Sequence, residues 1–250
     1  MKFRSRFLLL WLSLGLPLSG LAQDTKPVHF FLLSGQSNMA GLNPENGFLP
    51  EAKKLLPDAE IVHLKVARGG QPIRLWLKEW DEIAGKHGLD VKNEGKTPYY
   101  DQILAQFAEL KKKYPDGFDS VSFCWMQGER DAKSGLDGAY EDALKKLIAN
   151  LRRDLDAPEM NFVIGRLSDH DPKGQWTKGW AKVRDVQVKI AKEDENGAWV
   201  DTDDLNDIEK KGVMTNDLHY SKEGYATFGQ RLAQQAVRLI KGEEPKEDGR

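Results

Sequence analysis

The 250-residue sequence predicts an α/β fold, a three-layer α/β/α sandwich built on a mostly parallel five-stranded sheet. Two observations carry this. Five short runs of apolar, β-branched and aromatic residues alternate with longer stretches whose apolar residues recur at helical spacing. Polar, mostly glycine-bearing segments follow most of those runs, and open parallel sheets bind ligands outside the carboxyl ends of their strands. Alternation of this kind implies βαβ units whose crossovers cover both faces of the sheet with helices.

The first strand is expected over 28–33, where unbroken hydrophobicity from Phe30 to Leu33 fits burial on both faces. The others are expected over 61–67, 120–125, 161–165 and 198–200. Helical faces are traced by Ile103, Phe107 and Leu110, then by Leu144, Leu147 or Ile148 and Leu151, then by Val183, Val186 and Ile190. The last face runs through Tyr225, Phe228, Leu232 and Leu239. Residues 84–98 are rich in Gly and Lys without clear periodicity and read as a loop.

Residues 1–22 open with Lys2, Arg4 and Arg6, continue through a short apolar run and end in Gly20-Leu21-Ala22, the pattern of a secretory signal peptide. The run is shorter than the ~20 residues a membrane-spanning helix needs. The expectation is therefore an exported protein, periplasmic or secreted, with no membrane association after cleavage. One domain should occupy 23–241, followed by a charged, flexible tail over 242–250 that carries Pro245 and no apolar anchor.

Removing the leader lowers Lys plus Arg from 37 to 34 against 39 Asp plus Glu, a net charge of −5. That mild acidity favours neither nucleic acid nor anionic membranes. Cys124 is the only cysteine, so no intramolecular disulfide can form, and its apolar flanks point to a packing role.

The chemistry concentrates where strands end. The first run stops in Gly35-Gln36-Ser37-Asn38-Met39, a small polar turn that presents one serine. A serine hydroxyl attacks a carbonyl only when a neighbouring base takes its proton. His219, opening a helix beside Asp217, is the best-placed base, because His29 and His63 fall within strands and His87 in a charged loop. Acyl transfer also needs donors aimed at the developing oxyanion, and the backbone amides of Ser37 and of Gly69 or Gly70, with the Gln127 side chain, form the candidate set. The aspartates at 201, 203, 204 and 207 lack the spacing of a calcium loop, and no His-Glu-x-x-His or paired Cys-x-x-Cys motif occurs. No metal and no cofactor are inferred.

Taken in order, Gly35-Gln36-Ser37-Asn38-Met39, Gly69-Gly70 before Trp76, Trp125-Met126-Gln127-Gly128-Glu129 and Asp217-Leu218-His219 resemble the SGNH-hydrolase superfamily. The likeness is to its sialate O-acetylesterase-like and acetylxylan-esterase-like carbohydrate esterases. The Gly-x-Ser-x-Gly elbow of the α/β-hydrolases is absent. The resemblance implies Ser37 as nucleophile, His219 as base, the oxyanion set above, and removal of acetyl groups from a glycan or small sugar. Gln36, Asn38 and Trp76 become candidate substrate contacts.

One departure bears on the triad. The family usually places its acid three residues before the histidine, where this chain has Asn216. Three accounts follow: Asp217 orients His219, Glu129 does so, or Ser37 and His219 act as a dyad helped by Asn216. Asp217 is favoured. A non-catalytic carbohydrate-binding protein on the same fold, or an esterase for non-sugar acyl esters, are the alternative functions.

Overall fold

The computed structural model describes residues 26–171, 174–210 and 212–250. The expected signal peptide at 1–22 lies outside the described residues. Among those described, no helix is long and apolar enough to cross a membrane.

Five strands, β1 (Val28–Gly35), β2 (Glu60–Ala67), β3 (Ser120–Met126), β4 (Asn161–Gly165) and β5 (Gly197–Val200), form one sheet in the order β2-β1-β3-β4-β5. Every pairing in it is parallel. The helices are α1 (Ser37–Gly41), α2 (Phe48–Leu55), α3 (Trp80–Lys86), α4 (Pro98–Lys113), α5 (Glu129–Lys133), α6 (Tyr140–Asp154), α7 (Thr177–Glu193) and α8 (Lys222–Ile240).

Side-chain alternation along β1 shows the three layers directly. Phe30 packs against Phe107 of α4 at 5.4 Å between ring centroids, whereas its neighbour Phe31 meets Phe48 of α2 at 5.2 Å. Successive strand residues point to opposite faces, so α2 and α4 cover opposite sides. Phe30 to Leu33 are all buried, which is why the strand could afford no polar alternation. Cys124 is buried in β3, where burial pushes its thiol well above the ordinary range.

The strand order reverses at β1, from which the chain steps to β2 on one side and to β3 on the other. A sheet opens a crevice at such a point. Ser37 follows β1 there, and the segment Gln127 to Asp131 follows β3.

Two features were not legible in the pattern. A separate antiparallel hairpin, β6 (Asp207–Lys210) and β7 (Val213–Asn216), leads into the His219 segment. The tail is the second: residues 242–250, expected to lack an anchor, dock beside β5. The Asp201 amide donates to the Asp248 carbonyl at 2.8 Å, Gln235 of α8 bonds the backbone of Lys246 on both its donor and acceptor sides, and Gly249 is buried. Hydrogen bonds to backbone, together with an Arg250–Asp201 ion pair at 3.0 Å, supply the anchoring that the tail's composition lacks.

Candidate active site

Gly35 makes the turn out of β1 possible. Its φ is +144°, and a Cβ there would lie 2.0 Å from the Met126 carbonyl oxygen, so only glycine lets β1 and β3 meet this closely. The Gln36 amide then donates to that same carbonyl at 2.8 Å, and the chain enters α1 with Ser37 as its first residue, partly exposed. Lys65 of β2 holds the far end of this short helix by donating to the carbonyls of Ala40, at 2.9 Å, and Leu42.

The glycine turn after β2 lies alongside. A Cβ on Gly69 would stand 3.7 Å from Ser37 Cβ, in ordinary contact, and the Gly70 carbonyl accepts from Arg130 Nε at 2.8 Å. Among the described residues, the amides of Ser37, Gly69 and Gly70 donate to no protein acceptor. They are the donors an oxyanion could use.

Asn38 ties this turn to the segment carrying His219. Its Nδ2 donates to the Leu218 carbonyl at 3.1 Å and to Glu129 Oε1 at 3.1 Å, while its Oδ1 accepts from the Tyr225 hydroxyl at 3.1 Å. Asp217 Oδ1 accepts from the amides of Leu218 at 2.7 Å and His219 at 3.5 Å, fixing the backbone that carries His219. Ser221 caps α8 by accepting from the Gly224 amide at 2.9 Å, which leaves His219 exposed in the turn before that helix. Among the described residues no hydrogen bond joins Ser37 Oγ to the His219 ring.

Several residues suggested by motif prove to be interior supports. Gln127 is fully buried, and its Nε2 faces three acceptors: Gln36 Oε1 at 3.3 Å, the Gln71 carbonyl at 3.1 Å and Asp131 Oδ2. Both amide hydrogens therefore have protein partners, and Gln127 is not a free oxyanion donor. Gln36 accepts in turn from the amides of Gly128 at 3.4 Å and Arg130 at 3.2 Å, which locks β1 to the start of α5 and makes it a brace instead of a substrate contact. Asn38, 1% exposed, is likewise committed.

Trp76 is fully buried, donates to Ser34 Oγ at 3.0 Å and packs edge-on against Trp125, so it is core and offers no face to a sugar. Trp80 is interior too, holding the Val91 carbonyl at 2.7 Å.

The residues proposed to orient His219 separate in the same way. Glu129 bonds Asn38, and Asn216 is turned elsewhere: its Oδ1 accepts from His170 Nδ1 at 3.0 Å and its Nδ2 donates to Asp169 at 2.6 Å. Among the described residues neither contacts the His219 ring, while Asp217 contacts its backbone.

Burial pushes the Glu129 carboxyl up to about 7, with the Asn38 bond and the charge of Lys133 acting in the opposite direction. Asp131 is also pushed up to about 7 by burial, against donation from Gln127 and the Ile73 amide. Asp131 meets Gln127 across the non-helical turn at Gly128, so no helical spacing in the sequence marked this second carboxyl.

Arg184 and Gln187 of α7 stand behind this segment. Gln187 donates to the Gln127 carbonyl at 2.8 Å and accepts from the Leu167 amide at 2.8 Å, while Arg184 bonds the Leu167 carbonyl and Asp203. They buttress the segment behind β3. The acidic strand end is answered by arginines, Asp201 by Arg166, Asp203 by Arg184 and Asp204 by Arg231. Among the described residues, no group of three or more His, Cys, Asp or Glu could hold a metal ion.

Comparison with known proteins agrees with this architecture. A protein from Arabidopsis thaliana has a similar structure, with a TM-score of 0.61 and 22% identity over 84% of this chain and 98% of its own. A carbohydrate acetylesterase from Xanthomonas citri gives a TM-score of 0.58 at 16% identity over 87% of this chain, which spans 57% of that protein. A lipase/acylhydrolase from Enterococcus faecalis gives 0.50 at 13% identity over 87% of this chain and 98% of its own. At these identities the likeness is one of fold. No curated protein matches the chain.

The profile of the family described as "Carbohydrate esterase, sialic acid-specific acetylesterase" matches residues 41–238, a span that holds Gly69, Gly70, the Gln127 to Asp131 segment and His219 and begins just after Ser37. The chain belongs to that carbohydrate esterase family.

Proposed function

We propose that the protein is an exported serine esterase that removes O-acetyl groups from carbohydrates. The observation that carries this reading is the Asn38–Leu218 hydrogen bond, which joins the residue after Ser37 to the residue before His219 beside a glycine turn with uncommitted amides. Family membership and the carbohydrate acetylesterase from Xanthomonas citri among its structural relatives support the acyl group and the substrate class.

In this mechanism Ser37 Oγ attacks the acetyl carbonyl as His219 takes its proton. The amides of Ser37 and of Gly69 or Gly70 receive the oxyanion, each donor contributing on the order of 3 kcal/mol in the transition state. The tetrahedral intermediate collapses, the sugar hydroxyl leaves with the proton from His219, and the acetyl group remains on Ser37. Water, deprotonated by His219, then attacks the acyl-enzyme and releases acetate. Asp217 is the acid of the triad, holding the loop that presents His219.

In the same reading, residues 1–22 direct export to the periplasm or beyond, and 23–241 form the catalytic domain. The test is hydrolysis of p-nitrophenyl acetate by residues 23–250 beside Ser37→Ala, followed by acetate release from acetylated xylan and from an O-acetylated sialic acid. Activity abolished in the variant supports the esterase. Equal turnover by the variant transfers the reading to a sugar-binding protein, and release from p-nitrophenyl acetate alone would indicate a non-sugar ester.

A further inference from the structure

We propose that Asn38 is a clasp that sets the placement of the His219 segment relative to the Ser37 turn, and that Glu129 and Tyr225 are positioning residues that act through it. The inference rests on the esterase reading of Ser37 and His219, and it assigns to the second carboxyl-bearing motif a role other than orienting the imidazole.

The orientation of the Asn38 amide is forced by its surroundings. Nδ2 faces two acceptors, Glu129 Oε1 and the Leu218 carbonyl, and Oδ1 faces the Tyr225 hydroxyl, which can donate. Flipping the amide would set its oxygen against the Leu218 carbonyl and leave the Tyr225 hydroxyl facing Nδ2, so only one orientation satisfies all three contacts. Asn38 is 1% exposed and Glu129 2%, which excludes water as a ready substitute for either bond.

The three partners come from three parts of the chain: Glu129 from the start of α5 behind β3, Leu218 from the loop before α8, and Tyr225 from the first turns of α8. Asn38 itself is the second residue of the helix that Ser37 begins. A movement of α5 or α8 is thus transmitted through one amide to both the nucleophile and the base. Gly41, at the other end of α1, lies against the Tyr225 ring, where an added Cβ would come within 2.5 Å of it. The phenol therefore fixes the helix at two points.

Glu129 is a costly residue for packing alone. Its Oε2 is buried without a partner among the described residues, and a half-satisfied carboxyl in the interior destabilises the fold. Its side-chain partner among the described residues is Asn38, at 3.1 Å, the length of an ordinary hydrogen bond that any acceptor at this position could make. Displacing reacting groups by about 1 Å can cost on the order of 100-fold in rate, so a clasp of this kind would register in turnover and not in substrate binding.

The experiment compares Glu129→Leu, Glu129→Gln, Tyr225→Phe and the double variant Asn38→Ala/Glu129→Leu with the parent enzyme and with Asn38→Ala. The readouts are p-nitrophenyl acetate kinetics, the rate of Ser37 labelling by an organophosphonate fluoride, and circular dichroism as a check of folding. Glu129→Leu is expected to lose ~10- to 100-fold in kcat and in labelling rate with KM within about 2-fold, a range set by the cost of misplacement. Glu129→Gln, which keeps an acceptor for Asn38, should recover to within about 3-fold, and Tyr225→Phe should lose about 3- to 10-fold, since a hydrogen bond contributes about 0.5–1.5 kcal/mol.

Because the residues act as one unit, the double variant should be no worse than Asn38→Ala. Should Glu129→Leu fail to fold, Tyr225→Phe decides: parental kcat and labelling rate in that variant overturn the clasp. A folded Glu129→Leu with parental kcat, or losses that add in the double variant, overturn it as well. Ser37→Ala run alongside separates the two readings. If it is inactive while Glu129→Leu and Tyr225→Phe are unaffected, the clasp alone falls; if it is as active as the parent, the esterase reading falls and takes the clasp with it.

Discussion

Asn38 Nδ2 lies 3.1 Å from the Leu218 carbonyl across 180 positions of sequence. The bond makes the turn after β1 and the loop before α8 a single structural unit, and the first expectations concern the groups that hold it.

Asp217 supports the His219 segment by accepting from two of its amides. Asp217→Ala is expected to lower kcat for p-nitrophenyl acetate by at least ~10-fold with a smaller change in KM, the signature of a group that acts mainly in the transition state. Steady-state kinetics at fixed pH test this, and parental kcat in the folded variant would leave Ser37 and His219 as a dyad.

Asn216 engages His170 and Asp169 with both ends of its amide. Asn216→Asp would set a carboxylate beside Asp169 and keep an acceptor for His170. The variant is expected to stay within about 3-fold of parental kcat, as the new charge stays bound to His170. A gain of 10-fold or more would instead mean that the carboxylate swings to His219.

Gly35 tolerates no side chain, given a φ of +144° and a carbonyl oxygen 2.0 Å from the Cβ position. Gly35→Ala should cost at least ~3 kcal/mol, combining backbone strain with a forced separation of β1 and β3. Urea unfolding measures it, and a loss below 1 kcal/mol would contradict the close approach described for these strands.

Trp76 behaves as core in every contact it makes. Trp76→Ala is expected to lose ~3–5 kcal/mol of stability. Trp76→Phe, which keeps most of the volume but leaves Ser34 Oγ without the indole donor, should lower Tm while leaving KM for acetylated xylan within about 2-fold. A selective rise in KM without loss of Tm would restore Trp76 as a sugar contact.

The two buried carboxyls make stability depend on pH in a definite sense. Glu129 and Asp131 are both raised to about 7 in the folded protein, from ordinary values near 4, so the native state binds more protons than the unfolded chain between those limits. Their contribution is fully present below pH ~4 and is lost as pH rises through about 7. Lys133 opposes the shift at Glu129 and Asp131 adds to it, while Tyr140, Tyr220 and Tyr225 are the other titratable groups coupled to it. Glu129→Gln carries no charge to bury, so its Tm relative to the parent should climb between pH 4.5 and 8. Thermal melts across that range check it; a constant or falling difference would contradict the buried, protonated carboxyl.

Four strands of the main sheet were legible because a buried parallel strand must be apolar on both faces, as at Phe30 and Phe31 of β1, while the edge strand β2, with His63 and Lys65, was marked by its β-branched residues instead. The hairpin β6–β7 was not, since two four-residue strands mixing charged and apolar residues lack a run long enough to show a period. At the site, Ser37 and the glycines stood out through local turn chemistry. The roles of Gln127, Glu129 and Asn38 did not, because each depends on partners brought close by the fold: Gln36 from 91 positions away for Gln127, and Leu218 from 180 away for Asn38. The motif told which residues gather at the crevice and left open which of them face it. Trp76 shows the same limit, since an indole near a strand end serves core or ligand with the same sequence signature.

The length of the Asn38–Leu218 loop also has a temporal meaning. Contacts between distant parts of a chain are the slow ones to form, because closing a long loop precedes any reward from the contact. The sheet's first two strands pair at short range, Val28 beside Glu60, whereas Asn38 meets Leu218 only after a loop of 180 positions has closed. In the proposed esterase, a chain that had formed β1 before α8 packed would hold Ser37 without His219, so activity would follow the closing of that long loop.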